Sequence, residues 1–439
     1  FFVGISRGGS EVIVCKFGGS SLSCRESIER VAEIVRSNDA RRFVVVSAMG
    51  RASPKEEKIT DLLIKAYNGD EIAREEVRFR HEKLCRELSL PSITDELDRI
   101  DEAFKKGCGF DYFVSRGEYL MAKIISGLLG MPFIDGTEIA AFSDEGRWLI
   151  KETFVKATEN LKKYDCGVIA GFYGEDGFGR VRLFDRGGSD ISGAVAAYAL
   201  DADLYENWTD VDGFLSADPE RNDRAEVIRC LSYGELAELS YYGARVLHYL
   251  SVVPLTYKLI PLCVRNTFNT EAAGTTVTYR ASEGVKGIAV KDGVLYEIQC
   301  DAEPVQRLFP DAVRTVNGIR LFSSDPETKA KLIRSGVVLR MKMTEASVIA
   351  AASCRYGDFG EICRELASEG IEPLFAEYSG SFVHICVERV KSGFVSELIY
   401  DKLLGEKKRF DVGRYSRCTD RCAEGISVHL SGVSVDRTD

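Results

Sequence analysis

Apolar positions along this chain follow two periods. Through roughly the first 280 residues, short β-branched runs alternate with longer stretches whose apolar residues recur every three or four positions. Val12 to Phe17 is strand-like, and the segment behind it sets Ile28, Val31, Ala32 and Val35 at the i, i+3, i+4, i+7 spacing of a helix. Phe43-Val44-Val45-Val46 is continuously apolar, as expected of a strand buried on both faces of a parallel sheet. Further strand-like runs fall at Gly167 to Phe172, Asp203 to Trp208 and Leu262 to Val264, with helical patterns between them. The alternation predicts an α/β domain over 11–284 built on a mostly parallel sheet.

Beyond about residue 285 the grammar changes. Ala346 to Ser353 reads as a strand and Phe359 to Ser368 as a helix. Ile371 to Glu388 follows as a hairpin turning near Ser379-Gly380-Ser381, and Phe394 to Leu404 as a second helix. That β-α-β-β-α order predicts a ferredoxin-like α+β unit over 346–404. Val294 to Met343 looks like a shorter version, so 285–345 reads as a degenerate copy of the unit, and the polar stretch 405–439 reads as a tail.

Composition narrows the class. With 439 residues, 45% hydrophobic and 29% charged, the chain has material for several cores and is neither disordered nor fibrous. Acidic residues outnumber basic ones, 68 to 58, and the net charge of -10 opposes non-specific binding to nucleic acid or an anionic membrane. No apolar run is long enough to span a bilayer, and Phe1-Phe2-Val3-Gly4-Ile5 lacks a signal peptide's basic start. The 13 cysteines are scattered singly, many in apolar runs such as Val14-Cys15-Lys16, which suits reduced thiols in a cytoplasmic protein. Cys418 and Cys422 form a close pair in the tail without a second pair to complete a zinc set, and the 4 histidines do not cluster. No metal site held by protein side chains is expected.

Two glycine turns carry the candidate chemistry. The strand at Val12 to Phe17 runs into Gly18-Gly19-Ser20-Ser21 and then a helix, so backbone N–H groups and the helix terminus face an anion, with Lys16 as a mobile cation beside them. Arg186-Gly187-Gly188-Ser189-Asp190 leads into the helical Ile191 to Leu200, adding a guanidinium for carboxylate recognition and a carboxylate able to orient Lys16. Two such cradles in one α/β domain suggest a phosphorylated ligand, yet neither the Walker nor the protein-kinase pattern occurs. Ser115-Arg116-Gly117-Glu118 opens a helix with the apolar face Leu120, Met121, Ile124, Ile125 and Leu128. Glu118 is equally readable as half of a capping box with Ser115 or as the partner of a cationic substrate group.

KFGGSSL (Lys16 to Leu22), VVSAMG (Val45 to Gly50), SRGE (Ser115 to Glu118), RGGSD (Arg186 to Asp190), WTDVDG (Trp208 to Gly213), GARVLH (Gly243 to His248) and NTFN (Asn266 to Asn269) stand in the order and context seen in aspartokinases, which this chain resembles. The resemblance implies the amino acid kinase fold followed by tandem ACT domains. It implies that Lys16, Phe17, Gly18 and Gly19 hold the ATP phosphates, that Lys16 stabilises the transferred phosphoryl group, and that Asp190 supports it. Thr60, Glu118, Arg186, Gly187, Gly188 and Ser189 would bind aspartate, while Thr209, Asp210, Arg245 and Val246 would bind nucleotide. The implied reaction gives 4-phospho-L-aspartate and ADP, the first step of lysine, threonine and methionine biosynthesis, with Mg2+ held mainly through ATP. A homo-oligomer formed through the ACT region, with lysine or threonine as effector, goes with it. Glu220 departs from the pattern, standing where the family has a nucleotide-contacting arginine; Arg221 beside it is the cation at hand to compensate. Arg245 and Tyr249 depart as well, replacing a lysine and a proline. The alternatives are another amino acid kinase, acting on glutamate or a nucleotide monophosphate, and an ACT-bearing pseudokinase that senses amino acids.

Overall fold

The computed structural model describes residues 11–405 except 186, 245, 281–283, 285, 301, 316–317 and 337, and omits the side chains of 302, 304 and 339. The tail 406–439, with Cys418 and Cys422, therefore lies outside the described residues. The described residues divide into two compact units, one drawn from 11–214, 227–237 and 245–282, the other from 215–226, 238–244 and 283–405.

The first unit opens with β1 (Ile13–Phe17), α1 (Arg25–Arg36) and β2 (Arg41–Val46). A helical stretch follows: α2 (Ile59–Tyr67), α3 (Glu71–Glu87), α4 (Thr94–Lys105), α5 (Phe110–Val114) and α6 (Arg116–Leu129). Next come β3 (Phe133–Ile134), β4 (Ala141–Phe142), α7 (Ile150–Leu161), β5 (Gly167–Ala170), β6 (Tyr173–Asp176) and β7 (Val181–Leu183). The remainder is α8 (Gly188–Ala199), β8 (Leu204–Thr209), β9 (Cys230–Ser232), α9 (Tyr233–Tyr241, counted with the second unit from Glu238 on), α10 (Val252–Lys258), β10 (Leu262–Asn266) and β11 (Thr275–Thr278).

Eight strands form one sheet in the order β3-β5-β2-β1-β8-β10-β11-β9. Its pairs are parallel except β10 with β11. Helices cover both faces of such a sheet, which is why Phe43 to Val46 reads as an unbroken apolar run: Val14, Cys15, Phe17 and Val44 to Val46 are fully buried. The predicted stripe on α1, Ile28, Val31, Ala32 and Val35, is buried against it. The neighbours of β1 in the sheet are β2 and β8, so the first glycine turn emerges at the centre of the sheet's C-terminal edge, where ligands of open α/β sheets collect.

The second unit holds β12 (Gly287–Cys300), α11 (Ala302–Leu308), β13 (Val313–Thr315), β14 (Gly318–Ser323), α12 (Thr328–Arg334) and β15 (Val338–Ala352). It ends with α13 (Tyr356–Ser368), β16 (Phe375–Ser379), β17 (Phe382–Glu388) and α14 (Ser392–Leu404). All six strands are antiparallel, in the order β13-β14-β12-β15-β17-β16. β12 and β15 pair from Gly287 opposite Ala352 to Cys300 opposite Val338, so each long strand serves two repeats. The later half of β12, α11, β13, β14, α12 and the start of β15 make a complete β-α-β-β-α-β unit. The rest of β15 with α13, β16, β17 and α14 makes the second, and the start of β12 occupies its fourth strand position. Each repeat has its own core, around Tyr296, Ile298 and Ile319 in one and Ile349, Ile385 and Ile399 in the other.

The copy read as degenerate thus lacks no element; its helices are 7 residues each. Position 345/346 falls inside β15 rather than between domains. Two segments assigned by sequence to the α/β domain also pack with the second unit. Ser216 accepts a bond from Ile288 N–H at 2.8 Å, and Ala217 and Ala225 join the core of the second repeat. Arg221 bridges Asp292 at 3.0 Å, so it is engaged rather than free to offset Glu220. No helix among the described residues is long and apolar enough to cross a membrane.

Candidate active site

Lys16 is the last residue but one of β1, and its ammonium reaches Asp190 Oδ1 at 2.5 Å. Both side chains are nearly enclosed, at 10% and 13% exposure, so their attraction is screened far less than a surface pair's. Asp190 sits in the first turn of α8, where a negative charge also meets the helix's positive end. Gly187 caps that helix with φ +62°, and a Cβ there would stand 2.1 Å from that of His248. Only glycine fits the turn. The backbone N–H of His248 approaches Asp190 Oδ2 at 3.4 Å, and Asn207 Nδ2 donates to Oδ1 at 3.0 Å.

The first glycine turn is equally crowded. Gly18 N–H donates to Trp208 O at 3.1 Å, and a Cβ on Gly50 would lie 2.2 Å from Gly19 O. The VVSAMG segment is therefore packed backbone to backbone against the turn. Phe17 turns its ring into the core, stacked on Trp208 with centroids 6.0 Å apart, so only its backbone is placed to meet a ligand.

Glu118 is 5% exposed on α6. The capping box does not form: Ser115 Oγ donates to Tyr112 O at 2.7 Å and accepts from Arg116 Nη2 at 2.8 Å. The Arg116 guanidinium is itself stacked on Tyr112 and Tyr119. Burial pushes the Glu118 carboxyl up to about 8, against the partial pull of the Ala48 and Glu118 N–H groups and of Arg116. Its Oε2 has no hydrogen-bond partner among the described residues. An unsatisfied buried acceptor costs about 1–3 kcal/mol, a cost a bound cation would relieve. α2 packs against α6 at Gly117 through Ile59 and Leu63, and Thr60 is half-buried in the first turn of α2.

Gly188 and Ser189 form the first turn of α8 beside Asp190. Thr209 closes β8; its carbonyl accepts from Thr267 N–H at 2.8 Å and its hydroxyl donates to Asp210 at 3.2 Å. The NTFN segment braces the following loop, Asn266 and Asn269 both donating to Asp212 Oδ1, at 2.8 and 3.1 Å. Val246 is half-buried two residues before His248. Arg186 and Arg245 lie outside the described residues.

Two features were not visible in the sequence. Asn207 is one; the other is a buried network on the opposite face of the sheet, centred on Glu206. Arg41 donates to both Glu206 oxygens, at 2.8 and 3.1 Å, and Trp208 Nε1 and Cys15 Sγ add donations at 3.0 and 3.3 Å. Burial alone would raise the carboxyl, but these donors, Arg41 foremost, hold it below its ordinary value. Strand register was the missing signal: Cys15 stands opposite Glu206 and Lys16 opposite Asn207, which the sequence does not reveal.

The sequence model of the amino acid kinase family matches residues 11–266, more than half of the chain. Aspartokinase 3 of Bacillus subtilis is 33% identical over 305 residues, 64% of this chain and 67% of that protein. The chloroplastic bifunctional aspartokinase/homoserine dehydrogenase 1 of Zea mays is 31% identical over 295 residues, 60% of this chain but 32% of the maize protein. Among solved structures, aspartate kinase of Clostridium acetobutylicum matches with TM-score 0.78 and 28% identity, covering 89% of this chain and 100% of that one. E. coli aspartokinase III, solved with aspartate and ADP, shares the fold at TM-score 0.76 and 23% identity, covering 90% of this chain and 100% of that one. The chain belongs to the amino acid kinase family and, within it, to the aspartokinases.

Proposed function

We propose that the protein transfers the γ-phosphoryl group of ATP to the β-carboxylate of L-aspartate, giving 4-phospho-L-aspartate and ADP. The observation that carries this reading is the enclosed Lys16–Asp190 pair between two glycine turns at one edge of a parallel sheet. A carboxylate nucleophile is already deprotonated, so the reaction needs no general base. Positioning and charge neutralisation suffice. Lys16 meets the charge that spreads over the transferred phosphoryl oxygens, and Asp190 keeps the ammonium aimed there. The backbone of Phe17 to Gly19 lines the phosphates. Thr209, Asp210, Arg245 and Val246 take the nucleotide. Glu118 receives the aspartate ammonium, while Arg186 to Ser189, with Thr60, take its carboxylate.

Mg2+ fits as a companion of ATP rather than a resident of the protein, since Asp190 is committed to Lys16 and Asn207 and Asp212 to two asparagines. Bound with the nucleotide, it supplies further neutralisation of phosphate charge. The two ferredoxin-like repeats support a reading of the second unit as an ACT region that binds an effector, lysine or threonine, and joins subunits in a homo-oligomer. Aspartate-dependent ADP release from Mg-ATP tests the catalytic reading. Release with glutamate or a nucleoside monophosphate in place of aspartate would reject it.

A further inference from the structure

Asn207 is 1% exposed on β8, and its amide donates to the same Asp190 oxygen that Lys16 reaches. Two residues back, on the same face of the strand, Tyr205 donates its hydroxyl to the backbone carbonyl of Asp190 at 3.1 Å. β8 therefore grips one residue of α8 at two points, the carboxylate and the carbonyl. The helix is shaped for this grip: a Cβ on Gly193 would stand 2.5 Å from the Tyr205 hydroxyl, so glycine at that position lets the ring reach beneath the first turn. Lys16 stands directly opposite Asn207 across the β1–β8 pair, so both reach Asp190 from adjacent strands.

An ion pair alone would not fix these groups. An aspartate carboxylate turns freely about its last torsion, and a lysine ammonium rides on a flexible four-carbon stem. A second, directional donor on Oδ1 sets the carboxylate plane and hence the line along which the ammonium sits. An amide does this without adding a charge that would compete with Lys16 for phosphate. We infer that Asn207 is a positioning residue: with Tyr205 it clamps Asp190 to β8 and through Asp190 holds Lys16 on the path of the transferred phosphoryl group. This rests on the assignment of Lys16 and Asp190 to phosphoryl transfer.

Asn207→Leu keeps the volume and removes the donor. It should lower kcat roughly tenfold or more, the scale of a small misplacement in an active site, while the KM values for ATP and aspartate stay within about threefold. A second readout needs no turnover: acetylation of Lys16 by an N-hydroxysuccinimide ester, followed by peptide mass spectrometry, should run at least about threefold faster once the clamp is released. Tyr205→Phe should shift both readouts in the same direction by less. A role confined to stability would lower Tm and leave both readouts unchanged. If Asn207→Leu does not fold, Asn207→Ser, too short to reach Asp190, gives the same two readings. A folded variant with kcat within twofold of wild type and unaltered Lys16 acetylation overturns the inference. Wild-type protein releasing no ADP with aspartate would instead reject the functional assignment, and the acetylation rates would still decide the clamp.

Discussion

Glu118→Gln separates what this residue does for the fold from what it does for substrate. In the free protein the carboxyl, held near 8 by burial, is about nine-tenths protonated at pH 7. Its folded value lies above its unfolded value of 4.5, so the folded state binds the extra proton between the two. Stability is then greatest below pH 4.5 and falls by about 1.4 kcal/mol per pH unit as pH rises toward 8, some 4 to 5 kcal/mol in all. Glutamine does not titrate. Relative to wild type, the variant should therefore gain stability steadily from pH 5 to 8, which urea denaturation at three pH values would record.

Aspartate binding should run the other way. The carboxyl must ionise to receive an ammonium, so the KM for aspartate should fall about tenfold per pH unit between pH 6 and 7.5 and level off above 8. Glu118→Gln should abolish that slope and raise the KM by about 2 to 5 kcal/mol equivalent, at least 30-fold, since a desolvated charge pair loses one partner. A wild-type KM that is flat from pH 6 to 8, or a variant that keeps its aspartate KM, would refute this account of the residue.

Three further outcomes follow from the packing and the charges. Glu206→Ala leaves Arg41 buried without its bidentate partner and should cost about 3 to 5 kcal/mol of stability in chemical denaturation. Gly50→Ala sets a methyl against Gly19 O, a backbone atom that cannot yield; it should cost about 1 to 3 kcal/mol, with a drop in kcat from the displaced turn. Arg221→Ala, which cuts the bridge to Asp292, should lower Tm and leave the KM for ATP little changed.

Local patterns carried the α/β alternation, the α1 stripe and the two glycine turns, because each depends on residues close together in the chain. Ser115 and Glu118 show the limit of spacing: the motif allows a capping box, but Arg116 and the Tyr112 carbonyl engage the serine hydroxyl, and Glu118 is left buried with one oxygen unpartnered among the described residues. The first ferredoxin-like repeat looked eroded because its outer strands lie within β12 and β15, long strands that pair with each other and belong to both repeats. Ser216, Ala217 and Ala225 could not be assigned to the second unit from sequence, since their partners lie some 70 to 180 positions away. Asn207 and Glu206 were hidden for the same reason. Their roles follow from which strand lies beside which.

The central claim is that phosphate reaches the β-carboxylate of aspartate under the control of Lys16. Trapping the acyl phosphate with hydroxylamine and identifying the hydroxamate by mass spectrometry tests it directly. Wild-type protein with Mg-ATP and aspartate should accumulate β-aspartyl hydroxamate in step with ADP, and Lys16→Ala should form it roughly 100-fold more slowly or worse. No hydroxamate from wild type, or turnover by Lys16→Ala within a few-fold of wild type, would contradict the account.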